Sequence, residues 1–302
     1  MRDSLLSKLK KYRSILLFFG TLCWFLWWTS HNPSPDGYQN EYLHVGNSYD
    51  LWDALTSADW WHLRFFMYTG YWPFGFYVLS WPTLLFGRGL FALLLGNIWL
   101  LGIMVYLFHK RGYFLPLFLL LLCPAVFGSL VRYEPNFANV VCMSIGIFAL
   151  YQGKLESKKS AILWGAALGV GLMVDRLTLA FFLGPAVLPF LWKAPKRIWK
   201  NFAWGCGCIL LLTFAYYREF FLRHSEEIFP QVVQGEINAA GMQEDLENPI
   251  SGLYYVFSLI DAQAGPFIGI VMVISLVAAL WKKRKSRTDW MLIFSFVPAF
   301  LF

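Results

Sequence analysis

Ten apolar stretches divide the chain, at about 14–29, 65–86, 89–108, 113–130, 137–152, 161–175, 177–192, 202–217, 264–281 and 289–302. Within them Leu, Phe and Trp run on without the alternation of polar and apolar positions that barrel strands need. A bilayer core offers no water to a backbone, so only helices or closed barrels satisfy every N–H and C=O there. The pattern therefore predicts an all-α polytopic membrane protein. Composition agrees. The chain is 58% hydrophobic, 20% aromatic and 14% charged, where an ordinary globular domain is roughly a quarter charged.

Charge placement sets the expected orientation. If all ten stretches cross, Lys110-Arg111 and Lys154, Lys158 and Lys159 fall opposite Lys8, Lys10 and Lys11. The stretch 65–86 carries Gly70, Pro73, Gly75 and Pro82, which break a straight helix, and the interfacial aromatics Tyr71, Trp72 and Trp81. With that stretch lying along or dipping into the interface, 19 of the 25 Lys and Arg fall on one side, every lysine among them. Of the 18 acids, 15 fall on the other side. Basic residues mark the cytoplasmic side of spans. The expectation is nine transmembrane helices plus one non-crossing or re-entrant segment, with the N-terminus cytoplasmic. Residues 1–302 then form a single membrane-embedded domain with outer loops 30–64, continued by 65–86, and 218–263.

This placement also removes the nucleic-acid reading of the net charge of +7, because no dense basic surface is left to track phosphates. The five cysteines lie within apolar runs and read as packing residues rather than a disulfide framework or zinc site. The basic N-terminus before Ser14 to Trp28 lacks a small-residue cleavage site and reads as an uncleaved first span. The last run stops at Phe302 with no flanking charge, as expected of a chain missing its C-terminal part.

The pair 161–175 and 177–192 is short against the ~20 residues a span usually needs. Asp175 and Arg176 lie between the two halves. A hairpin there would hold both charges below the outer surface, inside a protein-lined cavity. Charge at membrane depth costs ~2.5–3.5 kcal/mol on insertion scales and reads as functional by default. Arg176 suits a phosphate, since a guanidinium makes forked hydrogen bonds to one; pairing with Asp175 is the plainer alternative. Gly165, Gly169 and Gly171 read as helix-packing glycines.

Asp36 and Glu41 sit just past the first span. A carboxylate there would serve as general base toward an acceptor hydroxyl; an Asp36-Gly37 turn in a soluble loop explains the same residues. Asp50, Asp53 and Asp59 alternate with Trp52, Trp60 and Trp61, which fits an amphipathic helix in the interface. Arg132-Tyr133-Glu134-Pro135-Asn136 forms a tight outer loop that either anchors two spans or reaches the same cavity as Asp36. His44 and His62 share the first loop with carboxylates, a combination open to a divalent metal, but no ligand spacing of the HExxH kind supports one. There is no glycine-rich phosphate loop, Ser-His-Asp order or nucleotide fingerprint. A sugar nucleotide has no visible docking site, and a lipid-linked donor needs none.

These pieces together resemble the GT-C class of polytopic glycosyltransferases, which includes the aminoarabinose transferases and protein O-mannosyltransferases. The resemblance rests on Pro35-Asp36-Gly37-Tyr38 followed by Glu41, on Trp72-Pro73-Phe74-Gly75-Phe76-Tyr77, and on Phe86-Gly87-Arg88-Gly89-Leu90. It continues in the Arg132 to Asn136 loop, the Gly165 to Arg176 segment, Gly252-Leu253-Tyr254-Tyr255 and Gly265-Pro266. It departs at Gly37, where the family usually has Glu, and at Tyr71-Trp72-Pro73-Phe74, where the family has Lys or His before Pro-Pro.

The resemblance implies a GT-C-like fold and transfer of a sugar from a polyprenyl-phosphate donor to a hydroxyl acceptor on a glycolipid, polysaccharide or protein. The setting is the outer face of a bacterial cell (inner) membrane. It makes Asp36 the catalytic residue, Glu134 a second acid and Arg176 the lipid-phosphate contact. Glu41 joins Glu134 as an acid or acceptor-positioning residue, and Arg64, Arg132 and His44 are further candidates. The expected partners are the donor, the acceptor and membrane lipids. No cofactor is expected, with a divalent metal the one candidate. The rival readings are a lipid or glycolipid transporter (flippase), which predicts internal repeats and ionisable residues at several span centres, and a non-enzymatic membrane scaffold.

Overall fold

The apolar runs are largely helical over their described residues, and helix also covers 39–56, where no apolar run predicts it. The structure is a computed structural model, and it describes residues 2–32, 39–69, 73–175, 178–224, 266–282 and 285–296. Every regular element among these residues is an α-helix. In order they are α1 (Arg2–His31), α2 (Gln39–Thr56), α3 (Trp60–Thr69), α4 (Gly75–Leu84) and α5 (Leu90–Lys110). Next come α6 (Phe114–Leu122), α7 (Pro124–Leu130), α8 (Asn136–Gly153), α9 (Lys158–Val174) and α10 (Thr178–Leu191). The last three are α11 (Lys196–His224), α12 (Pro266–Trp281) and α13 (Arg287–Phe296). The chain is all-α.

Two predicted stretches are divided. Residues 113–130, expected as one helix, form α6 and α7, separated at Cys123, whose φ of −68° and ψ of 120° are extended. Pro124 causes the break: its ring disfavours the α region for the residue before it, and its missing N–H suits the first position of a new helix. Residues 65–86 likewise divide, with Pro73 and Phe74 outside helix and α4 following. At 1.5 Å per residue the ten residues of α4 rise about 15 Å, half of the ~30 Å hydrocarbon core of a bilayer.

Residues 39–69, most of which the sequence assigns to a loop, are helical apart from the turn at 57–59. α2 and α3 meet at a turn where Ala58 takes a left-handed φ of 54°. The Asp59 carboxylate caps α3 by accepting the His62 N–H at 3.0 Å. That bond and the neighbouring imidazole hold the Asp59 carboxyl below its ordinary range. Asp53 pairs with Arg88 across the turn after α4, so α2 is tied to α4 at that end. Asp53 and Asp59 thus have structural partners.

α9 is the central helix, flanked along its length by α8 and α11. A Cβ on Gly165 would run into the carbonyl oxygen of Gly205, and one on Gly205 would lie 2.8 Å from that of Ala161. Gly165 packs α9 on α11 by letting two backbones touch, whereas Gly169 and Gly171 make room for the Leu212 and Leu179 side chains. One apolar cluster gathers Phe25, Phe76, Leu93, Tyr133, Phe137 and Val174. A second gathers Leu150, Trp164, Leu183, Phe190 and Met291. Among the described residues, two helices are long and apolar enough to cross a membrane: α5 and the Lys196–Phe220 part of α11. On α11, Leu210, Leu211 and Phe214 face outward, Leu211 with 84% of its surface uncovered.

Candidate functional site

The site is organised by one face of α2. His44, Asn47 and Ser48 recur at helical spacing, so their side chains share a face. That face is pressed on α4 and on the Arg132–Asn136 loop. His44 and Ser48 are buried. The Tyr77 hydroxyl lies 3.1 Å from His44 Nδ1 and accepts from Asn47 Nδ2 at 3.0 Å. Tyr133, fully buried, is 2.7 Å from the Ser48 hydroxyl and donates to Ser80 Oγ at 2.8 Å. Its ring lies against Phe76, with centroids 4.8 Å apart.

Proton accounting orders this network. Each hydroxyl brings one proton. When Tyr133 donates to Ser80, the Ser48 proton goes either to the Tyr133 oxygen or to the His44 carbonyl, 2.8 Å away. Buried polar groups need such partners, because an unmade bond costs more than a made one gains. Burial pushes the Tyr133 phenol well above its ordinary value. The same cause pushes the His44 imidazole down to about 4. The network is therefore uncharged at neutral pH.

The Arg132–Asn136 loop is held from beneath. Asn97, a lone amide in apolar α5, is buried and donates to the carbonyls of Leu130 (3.0 Å) and Arg132 (2.9 Å). These lie at and just past the end of α7, where a helix leaves carbonyls without intrahelical partners. Beyond them the half-buried Glu134 carboxylate accepts from Asn136 Nδ2 at 2.8 Å. In the first turn of α8, Asn139 donates to Asp175 Oδ2 at 2.7 Å. Asp175 ends α9 and is half-buried. The Asn139 Oδ1 atom is buried with no hydrogen-bond partner among the described residues. α4 starts at the same place: a Cβ on Gly75 would lie 2.5 Å from the Met173 carbonyl oxygen.

The structure thus brings together His44, Tyr133, the Arg132–Glu134 backbone and Asp175 at one end of the helices. Arg64 is exposed on α3. His62 is exposed beside Asp59, at 3.2 Å, whereas His44 is buried against Tyr77. No three His, Cys, Asp or Glu side chains among the described residues are grouped to hold a metal ion. Asp36 and Arg176 lie outside the described residues. Glu41 falls in the first turn of α2, its side chain outside them. Sequence reasoning passed over Asn47, Ser48, Ser80, Asn97 and Asn139, and named Tyr77 only as part of an aromatic motif. The polar spacing of the first two beside His44, and a solitary Asn inside the apolar run of α5, were the available signals.

No known family model, curated protein or solved structure matches this chain.

Proposed function

We propose that this protein transfers a sugar from a polyprenyl-phosphate donor to a hydroxyl acceptor at the outer face of a bacterial inner membrane. In this reading it is a GT-C-like glycosyltransferase with nine spans, one non-crossing segment and a cytoplasmic N-terminus. The observation that carries it is the convergence just described. α2, which begins three residues after Asp36, is locked to the Arg132–Asn136 loop, and that loop leads through α8 to Asp175, next to Arg176. Three residues reach at most about 11 Å, so Asp36 is tethered to the start of α2.

The reaction assigned to these groups is a displacement. The acceptor oxygen attacks the anomeric carbon, the bond from that carbon to the donor phosphate breaks, and Asp36 takes the acceptor proton. Arg176 stabilises the departing polyprenyl phosphate, an electrostatic effect that is strong where water is sparse. Glu134 and Glu41 position the acceptor. Outward-facing Leu210, Leu211 and Phe214 on α11, and Ile270, Ile274 and Val277 on α12, support lipid embedding, since water-exposed apolar surface on that scale is rare in soluble chains.

The test is transfer of radiolabelled sugar from polyprenyl-phosphate donors in membranes containing the protein or its Asp36→Asn variant. Transfer by the first and at least a hundredfold less by the second, at equal membrane insertion, is the expected result. Equal transfer by both would remove Asp36 from the mechanism. Movement of the labelled lipid between leaflets with no transfer would favour a transporter.

A further inference from the structure

Three basic loops far apart in sequence meet at one end of the structure, where the proposed chemistry makes no use of them. They are 154–159, 193–200 and, of the third, the described residues 282 and 285–287, each leading into the start of a helix (α9, α11 and α13). Asn201, buried on α11, donates to the Leu155 carbonyl at 2.8 Å and clamps the first loop to the second. Lys158 Nζ sits 3.5 Å from the centre of the Trp204 ring, which joins the same pair again. Arg287 Nη2 approaches the Trp192 carbonyl at 3.5 Å, bringing in the third loop, and α10 packs closely on α13 behind it.

The neighbourhood is short of counter-charge. The acids in or beside the three loops are Glu156 and Asp289, and Asp289 is already taken by Lys282 at 2.9 Å and Ser286 at 2.7 Å. Lys159, Arg197 and Lys200 are exposed and make no ion pair among the described residues. Orientation by positive charge requires only a count in each loop. It does not require the loops to be clamped together, and like charges held together repel. Exposed Trp192, Trp199 and Trp204 rim the same end. Indoles of this kind settle at headgroup depth, with the ring body toward lipid and the N–H toward water.

We infer that these loops form a binding site for the phosphate headgroup of an anionic phospholipid in the cytoplasmic leaflet, with Lys158, Lys159, Arg197 and Lys200 as its cations. Basic pockets between helices on that side are suited to such headgroups. The tryptophan rim favours lipid over a soluble anion. The inference rests on the membrane reading above, though not on the glycosyltransferase chemistry.

The experiment titrates the purified full-length chain, in neutral detergent, with phosphatidylglycerol or phosphatidylcholine and counts bound lipids by mass spectrometry of the folded protein. Phosphatidylglycerol is expected to bind at least tenfold more tightly. The Lys158→Gln/Arg197→Gln/Lys200→Gln variant should reduce that preference to within twofold. A variant with equal charge loss elsewhere on the basic side, Arg13→Gln/Lys110→Gln/Arg111→Gln, should keep it. Equal binding of the two lipids overturns the inference, as does equal loss in both variants or displacement by millimolar inorganic phosphate. Alkaline carbonate extraction separates the two readings. A chain released from membranes sinks the membrane reading and this site with it; a chain retained without lipid preference sinks the site alone.

Discussion

His44 is the titratable side chain whose environment departs most usefully from water. Its imidazole, ordinarily at 6.5, is lowered to about 4 by burial. Between those values the unfolded chain binds a proton that the folded one refuses, so stability rises with pH across that window. The contribution is fully present above about 6.5 and is lost as pH falls toward 4. The full shift corresponds to roughly 3.4 kcal/mol. Thermal unfolding in detergent at pH 7 and pH 4.5 should show a destabilisation that is smaller in His44→Gln by roughly one proton's worth of pH dependence. Tyr133 makes a different prediction. Tyr133→Phe keeps the ring against Phe76 but leaves Ser48 and Ser80 facing a carbon. The expected cost is about 1–3 kcal/mol, read as a lower unfolding midpoint with little change in helix content by circular dichroism.

At the scale of elements, glycine contacts set how closely helices approach. Gly165 and Gly205 let the α9 and α11 backbones touch. Gly165→Ala pushes a methyl group into a carbonyl that has no side chain to swing away, so α9 and α11 must separate. Overpacking of this kind costs typically about 1–3 kcal/mol, and the variant should unfold correspondingly earlier. Gly75→Ala meets the Met173 carbonyl in the same way, at the junction of α4 and α9. On the proposed reading it should lower transfer more than stability, because it shifts α4, and with it Tyr77 and Ser80, against the end that carries Asp175. Measuring transfer and unfolding on the same preparation checks this, and a loss of both in proportion would make Gly75 structural only.

For the whole molecule, the distribution of apolar surface is the main physical fact. The α11 and α12 faces leave large aliphatic and aromatic side chains uncovered, while the buried clusters bind α4, α5, α8, α9 and α10 together. Such a chain is expected to resist carbonate extraction and to aggregate when detergent is diluted below its micelle concentration, which light scattering would detect. Soluble, monodisperse protein without detergent would contradict the embedding and the proposed function together.

Pattern and composition alone carried the all-α class, most helix positions, the divided 65–86 stretch and the close-packing role of Gly165. All of these are local: periodic apolar runs, the missing N–H of proline and the absent Cβ of glycine act within a few residues. The break at Cys123 was equally local in cause, since Pro124 is visible in the chain, but an unbroken apolar run masked it. The pairing of α2 with the Arg132–Asn136 loop was not legible, because Ser48 and Tyr133 are 85 residues apart and each is an ordinary residue where it stands. Nor could one sequence show that the 154–159 and 193–200 loops are clamped by Asn201, or that Asn97 carries the carbonyls beneath Tyr133. Hydrogen bonds between distant segments are chosen only once apolar packing has brought those segments together. That is why the elements were readable in the chain and the network among them was decided by the tertiary structure.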